Sequence, residues 1–293
     1  LLFLSEIPKD FQPLQDFRKT GSRALTTSSV FIIREIQQNH SWIRDVYIDN
    51  NDDKLPFVGR FSINDNPEKV AKDILATLKI NPSAYKTENP IKEWIDAAET
   101  AGIFVSRTSF IHSHLKLDSN EIQGFAIADE YAPFVFVNSD DWNAPQLFTL
   151  VHELAHIWIA ETGISNDIEP EIKSKNRFHP IELFCNEVAG NALIPKELIT
   201  KLDNRTYSNV QNVFITAKKI GVSSFALLFR ALNLNIISLS TYQKLKKRAD
   251  IQYIESLRKE AEKKLKLKEK EKKGGPNYFL WQLNMNRRLC TQT

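Results

Sequence analysis

The sequence predicts an α+β fold: a small β-sheet laid against an apolar helix, with further helical segments on either side. Three observations predict it. The runs GIFVSRTSFI (102–111), GFAIAD (124–129) and PFVFVN (133–138) are short, rich in β-branched and aromatic residues, and separated by turn residues, so they read as strands. Directly after them comes a run, 144–160, too long for a strand, uncharged over most of its length and opened by Pro145, so it reads as a buried helix. Before and after this block, apolar residues recur at helical spacing.

The elements follow in order. Residues 1–27, with Pro8, Pro13 and Gly21 and little periodicity, read as an extended arm or linker. Residues 28–100 form a helical N-terminal region. Ser28 or Ser29 caps a helix to about residue 47, with Ile32, Ile36, Ile43 and Val46 on one stripe. NDDKLP (51–56) is a turn. Asn66 then caps a helix with Pro67 at its first position and Val70, Ile74 and Leu78 one turn apart. Asn89-Pro90 opens another, which Gly102 ends. Residues 101–204 hold the three strands, the apolar helix, a polar loop (162–180), a second helix over 181–193 stopped by Pro195, and a short helix near 196–202. Residues 205–243 hold helices near 208–220 and 223–233, residues 244–273 a charged helix or linker, and 274–293 a tail after Gly274-Gly275-Pro276. No internal repeat is visible.

The composition sets limits. The 293 residues are 42% hydrophobic and 26% charged, as in a soluble globular protein. The net charge of +3 is too small to argue that the whole chain binds nucleic acid. Residues 244–273 carry thirteen Lys/Arg against six Asp/Glu, a local +7, so the rest carries −4. That stretch interleaves acids with bases and reads as a solvated helix. Two cysteines, Cys185 and Cys290, cannot build a disulfide framework, which favours a reducing, cytoplasmic setting. No apolar run approaches the ~18 residues of a membrane span, and the opening LLFLSEIPKD lacks a basic leader, so no membrane partner is expected.

The chemistry lies in FTLVHELAHIWIAE (148–161). On a helix, His152 and His156 sit one turn apart on one face and can point both imidazoles at one ion. Glu153 is rotated by about 100° from His152, poorly placed as a ligand but well placed beside an open position. This is the H-E-x-x-H logic of zinc peptidases: two neutral imidazoles hold Zn2+, a water takes the open site, and the glutamate removes its proton. The competing reading is a pair of core histidines with a surface glutamate. The uncharged neighbours Thr149, Leu150, Val151, Leu154, Ala155, Ile157 and Trp158 weigh against it, because ionisable groups on a buried helix need partners.

A third ligand must come from elsewhere. Glu161, Glu169, Glu171, His179, Glu182 and Glu187 are the downstream candidates. Position 162, where a third histidine of the metzincin type would fall, is Thr. Glu182 is the best candidate, twenty-six residues beyond His156 on the next predicted helix, with Asn186 one turn on to hydrogen-bond a ligand histidine. Glu187 is its main rival. Cys185 reads as buried packing. His40, His112 and His114 lie far from the motif.

These two blocks, FTLVHELAHIWIAETG and IELFCNEVAGNALIP, resemble the signature blocks of the ImmA/IrrE family of zinc metallopeptidases. Glu182, Cys185, Asn186, Ala189, Leu193, Ile194 and Pro195 fill the places of the second block, while Gly190 and Ala192 are smaller than usual there. GFAIADEYAPFVFVN resembles the strand pair that leads into the metal helix. DFRKTG, FVGRF and AGIFV resemble a subgroup that joins this peptidase to an N-terminal helix-turn-helix of the phage-repressor type; no such domain is legible in these residues. The resemblance is strongest over about 100–240. It implies a zincin-like core of gluzincin type, with His152, His156 and Glu182 as ligands, Glu153 as general base, and cleavage of a phage-type or stress-response repressor, or a place in a toxin–antitoxin-like system.

VFITAKKIGVSSFALLFRAL (213–232) has the shape of a helix-turn-helix, with Gly221 at the turn. Its second helix carries Phe225, Leu227, Leu228 and Phe229 and a single base, Arg230, so it reads as a packing unit rather than a DNA reader. The expectation is therefore a zinc-dependent endopeptidase whose protein substrate is a helix-turn-helix repressor. The alternative is a non-hydrolytic regulator or toxin–antitoxin-like component that binds a repressor or DNA through the same scaffold.

Overall fold

The structure is a computed structural model and describes residues 14–16, 24–107, 117–118, 121–139, 143–165, 179–252 and 254. Its centre is a five-stranded sheet, in the order β1-β5-β3-β4-β2, formed by β1 (Gln15–Asp16), β2 (Phe104–Arg107), β3 (Gly124–Ile127), β4 (Phe134–Val137) and β5 (Gly163–Ser165). β3 runs antiparallel to β4 and β5, while β2 is parallel to β4 and β1 to β5.

β2, β3 and β4 read as unbroken apolar runs because helices cover both faces of the sheet. Phe104, Phe125, Ile127, Phe134, Phe136 and Ile164 face α1 (Thr27–Asp49), which lays Ile32, Ile33, Ile36 and Ile43 on them. Register partners stack across the strands, Phe104 on Phe134 at 4.7 Å between ring centroids and Phe125 on Phe136 at 5.0 Å. Val105, Ala126, Val135 and Val137 face the other way, into the core built on α4 (Asn143–Trp158).

The helix caps follow the predicted chemistry, with one shift. Thr26, not Ser28 or Ser29, caps α1, and its hydroxyl accepts from Ser29 N. Asn66 caps α2 (Pro67–Leu78) by accepting from Glu68 N, and α3 spans Pro90–Thr100. α1 is tied to the β3–β4 hairpin by Asp129, which accepts from Arg44 Nε at 2.9 Å and faces His40 Nε2 at 3.7 Å.

The second half is helical: α5 (Pro180–Leu193), α6 (Lys196–Ile199), a 3-10 turn (Asn204–Tyr207), α7 (Val210–Ile220) and α8 (Ser224–Asn233), with residues 239–252 helical beyond them. α7 and α8 cross at 99°, and Gly221, at φ +82°, makes the left-handed turn between them. No single helix among the described residues is long and apolar enough to cross a membrane.

Two strands depart from the sequence expectation. The polar loop begins with β5, and the N-terminal arm contributes β1. Both are too short to show periodicity. The rest of the arm, residues 108–116 with His112 and His114, residues 166–178 with Glu169 and Glu171, and the charged helix beyond residue 254 lie outside the described residues.

Candidate metal centre

α4 packs against β3 and β4 on one side and α5 on the other, so both of its faces are covered. His152, Glu153 and His156 are each 0% exposed as a result. α5 runs alongside and presents Glu182 and Asn186, one turn apart, toward α4.

Three donor groups converge. His152 Nε2 and His156 Nε2 stand 3.1 Å apart. Glu182 places Oε2 3.1 Å from His152 Nε2 and Oε1 3.2 Å from His156 Nε2. Donors at zinc's usual bond length of about 2.05 Å around a tetrahedron would be about 3.3 Å apart. The edge between the imidazoles matches that spacing, as does the edge from each histidine to one Glu182 oxygen, and this is the test of fit for a divalent ion among these residues.

The tautomers agree with it. His152 Nδ1 lies 3.0 Å from Asn186 Oδ1. An amide oxygen only accepts, so Nδ1 carries the proton and Nε2 turns a lone pair toward the cluster. Burial, outweighing the attraction of the Glu182 carboxylate, pushes the pKa of His156 below its ordinary value and keeps it neutral, the form that ligates. Burial would push Glu182 up, but His152 and His156 pull the carboxyl down to about 2 when they carry a proton at the cluster, a positive charge whose place a bound cation would take.

Glu153 differs. Neither of its oxygens has a hydrogen-bond partner. Burial first, then the charge of Glu182, raises its carboxyl well above the ordinary value, and the nearby Ser165 hydroxyl opposes this in part. The Ser165 hydroxyl donates to Glu182 Oε1 at 3.2 Å. A buried, unpartnered carboxyl beside three converging donors is a group placed to exchange a proton with something bound there.

The other candidates fall away from the cluster. Glu187 is exposed. Glu161 is half-buried, and the three-residue donor cluster found among the described residues does not include it. His179 is exposed and caps α5, its Nδ1 accepting from Ile181 N at 3.4 Å. Cys185 is buried, and burial followed by the charges of Glu182, Glu153 and Glu161 pushes its thiol well above the ordinary range, away from the ligating thiolate.

Two residues at the site carry no sequence signal. Gly124 lies directly under α4: a Cβ there would stand 2.8 Å from Glu153 Oε1 and 2.7 Å from Thr149 Cγ2. Ser165 sits in a loop that sequence reading treats as polar filler. Only the fold brings either to the cluster.

An α+β core with a buried His-His-Glu cluster that could bind a metal, carried on an H-E-x-x-H helix and its neighbour, defines a zincin-like metallopeptidase architecture. Residues 98–232, from the end of α3 to α8, match the peptidase M78 family model, described as the IrrE N-terminal-like domain. This segment is similar to the ImmA/IrrE family of metallopeptidases. No curated protein matches the chain.

Proposed function

We propose that the chain is a zinc-dependent endopeptidase in which His152, His156 and Glu182 hold the metal, Glu153 is the general base and Asn186 orients His152. The observation that carries this reading is the convergence of three buried donors, 3.1 to 3.2 Å apart, beside a buried carboxyl without a partner. Zinc held there would supply a Lewis acid and lower the pKa of its water. Glu153 accepts a proton at a carboxylate oxygen and returns it to the leaving amine. Its raised pKa makes it a stronger base than an ordinary carboxylate, which suits the first half of that exchange. Asn186 fixes the ring of His152, and the apolar shell of Leu150, Val151, Leu154 and Ala155 keeps bulk water from the donors.

The substrate is a regulatory protein, a helix-turn-helix repressor of phage or stress-response type, cleaved in the cytoplasm. This part rests on the family resemblance.

The test uses purified protein with zinc added back after chelation. Wild type takes up one zinc per chain and cleaves peptide bonds. Glu153→Gln keeps the metal and loses cleavage, and Glu182→Ala loses the metal. If Glu153→Gln leaves the biological effect intact, the protein is a non-hydrolytic regulator. If Glu182→Ala binds zinc as wild type does, the ligand set is wrong.

A further inference from the structure

Ser165 ends β5 and is 0% exposed. Its backbone is clamped: it pairs with Gly124 across the antiparallel ladder, and its carbonyl oxygen accepts from Gln123 N at 3.2 Å. Gly124 is the residue against which Glu153 lies. The sheet thus delivers one hydroxyl to the floor of the donor cluster, where it bonds Glu182 Oε1 at 3.2 Å.

The need for such a bond follows from how Glu182 reaches the cluster. Its side chain has three rotatable bonds and starts from α5, while both histidines start from α4. To meet both imidazoles, the carboxylate must hold Oε2 toward His152 and Oε1 toward His156 at the same time. Glu182 meets the two histidines it is to share with an ion, and it accepts from the Ser165 hydroxyl. The hydroxyl has a single proton to give.

We infer that Ser165 is a positioning residue for the metal site: its hydroxyl holds the Glu182 carboxylate in the plane that faces both histidine Nε2 atoms. The inference rests on the metal-site reading above, and the two can fail separately.

The experiment measures zinc affinity of the full chain by competition with a chromophoric chelator, with the melting temperature of the metal-free protein as a folding control. Ser165→Ala weakens zinc binding by about 10-fold, the lower end for loss of a group that supports a ligand. Ser165→Thr, which keeps the hydroxyl and suits a strand, restores most of that loss. At saturating zinc, Ser165→Ala lowers kcat with KM unchanged. Ser165→Ala with wild-type zinc affinity and unchanged melting overturns the inference. So does a loss that Ser165→Thr fails to restore while its metal-free form melts like wild type, because the hydroxyl is then not what matters. Glu182→Ala with wild-type affinity overturns the metal site itself, whatever Ser165 does.

Discussion

Replacing Gly124 with alanine tests the contact between the sheet and the metal helix. The added Cβ would stand 2.7 Å from Thr149 Cγ2, 2.8 Å from Glu153 Oε1 and 2.9 Å from the Phe136 carbonyl oxygen. The Phe136 oxygen belongs to the neighbouring strand, and Thr149 and Glu153 are 5% and 0% exposed on α4, so none of the three can swing into solvent. Reaching an ordinary 3.4 Å contact with Thr149 requires α4 to lift from the sheet by about 0.7 Å, in an interior that packs like a crystal. In an unconstrained strand, alanine would gain about 0.5–1 kcal/mol over glycine. Overpacking costs about 1–3 kcal/mol, so the net loss is about 1 kcal/mol at mid-range and at most about 2.5 kcal/mol. For a domain of this size the melting point should drop by about 2–8 °C. The rate should suffer more than the stability: an error approaching 1 Å in a reacting group costs about 100-fold in kcat/KM. Zinc should still bind, because His152 and His156 travel with the helix and the long Glu182 side chain can follow. The assay combines melting of the metal-free protein, zinc stoichiometry and hydrolysis of a fluorescence-quenched peptide library. A Gly124→Ala protein with wild-type melting and wild-type rate would refute the close approach on which this reasoning depends.

Three further predictions follow the same geometry. Asn186→Ala removes the acceptor that orients His152 and should weaken zinc binding by about 10–100-fold, read by chelator competition; Asn186→Asp, which keeps an acceptor, should bind within a few-fold of wild type. Asp129 is pushed up by burial, but His40 and the backbone N–H groups of Ala132 and Tyr131 outweigh this and hold its pKa well below the ordinary value. A depressed carboxyl stabilises the fold above its unfolded pKa and ceases to as pH falls through the folded one, so the urea midpoint of wild type should exceed that of Asp129→Asn at pH 6 and the gap should close below about pH 4. Arg230→Met strands the Ile194 carbonyl oxygen and Asn191 Oδ1 and should cost about 1–3 kcal/mol in urea unfolding, with zinc affinity retained.

The site was half legible in the sequence, and the reason is physical. His152, Glu153 and His156 announce themselves because helical spacing alone puts two imidazoles on one face, in a run whose other residues are apolar. Glu182 and Asn186 repeat the one-turn logic on α5, but nothing local to 180–193 states that this helix lies against α4. Packing of Phe184, Cys185, Val188 and Ala189 into the shared core settles that, and it also turns Glu187 to solvent. Ser165 and Gly124 are silent in sequence because strand pairing, not spacing, places them. Among the elements, Asn66-Pro67 and Asn89-Pro90 mark helix starts by their own chemistry. β1 and β5, of two and three residues, exist only because β3 offers an edge that β5 covers and β1 extends.

The helix-turn-helix shape of α7 and α8 packs against the helices of this centre. A recognition helix reads DNA by offering cations and polar groups outward. α8 has one cation, Arg230, and it points inward: Nε donates to the Ile194 carbonyl oxygen at 3.1 Å and a terminal nitrogen to Asn191 Oδ1 at 2.6 Å. Both partners lie at the C-terminal end of α5, the helix that begins with Glu182. The turn at Gly221 is tight for a related reason, since a Cβ there would stand 2.8 Å from the ring of Pro90 and 3.1 Å from Leu147 of α4. Leu227 and Leu228, both 0% exposed, complete the contact with the core. The 99° crossing thus packs α8 against the C-terminal end of α5 and sets the Gly221 turn against Pro90 and Leu147 of α4. Arg230, bonded to Ile194 and Asn191, is turned toward the protein rather than offered to a base edge or a phosphate.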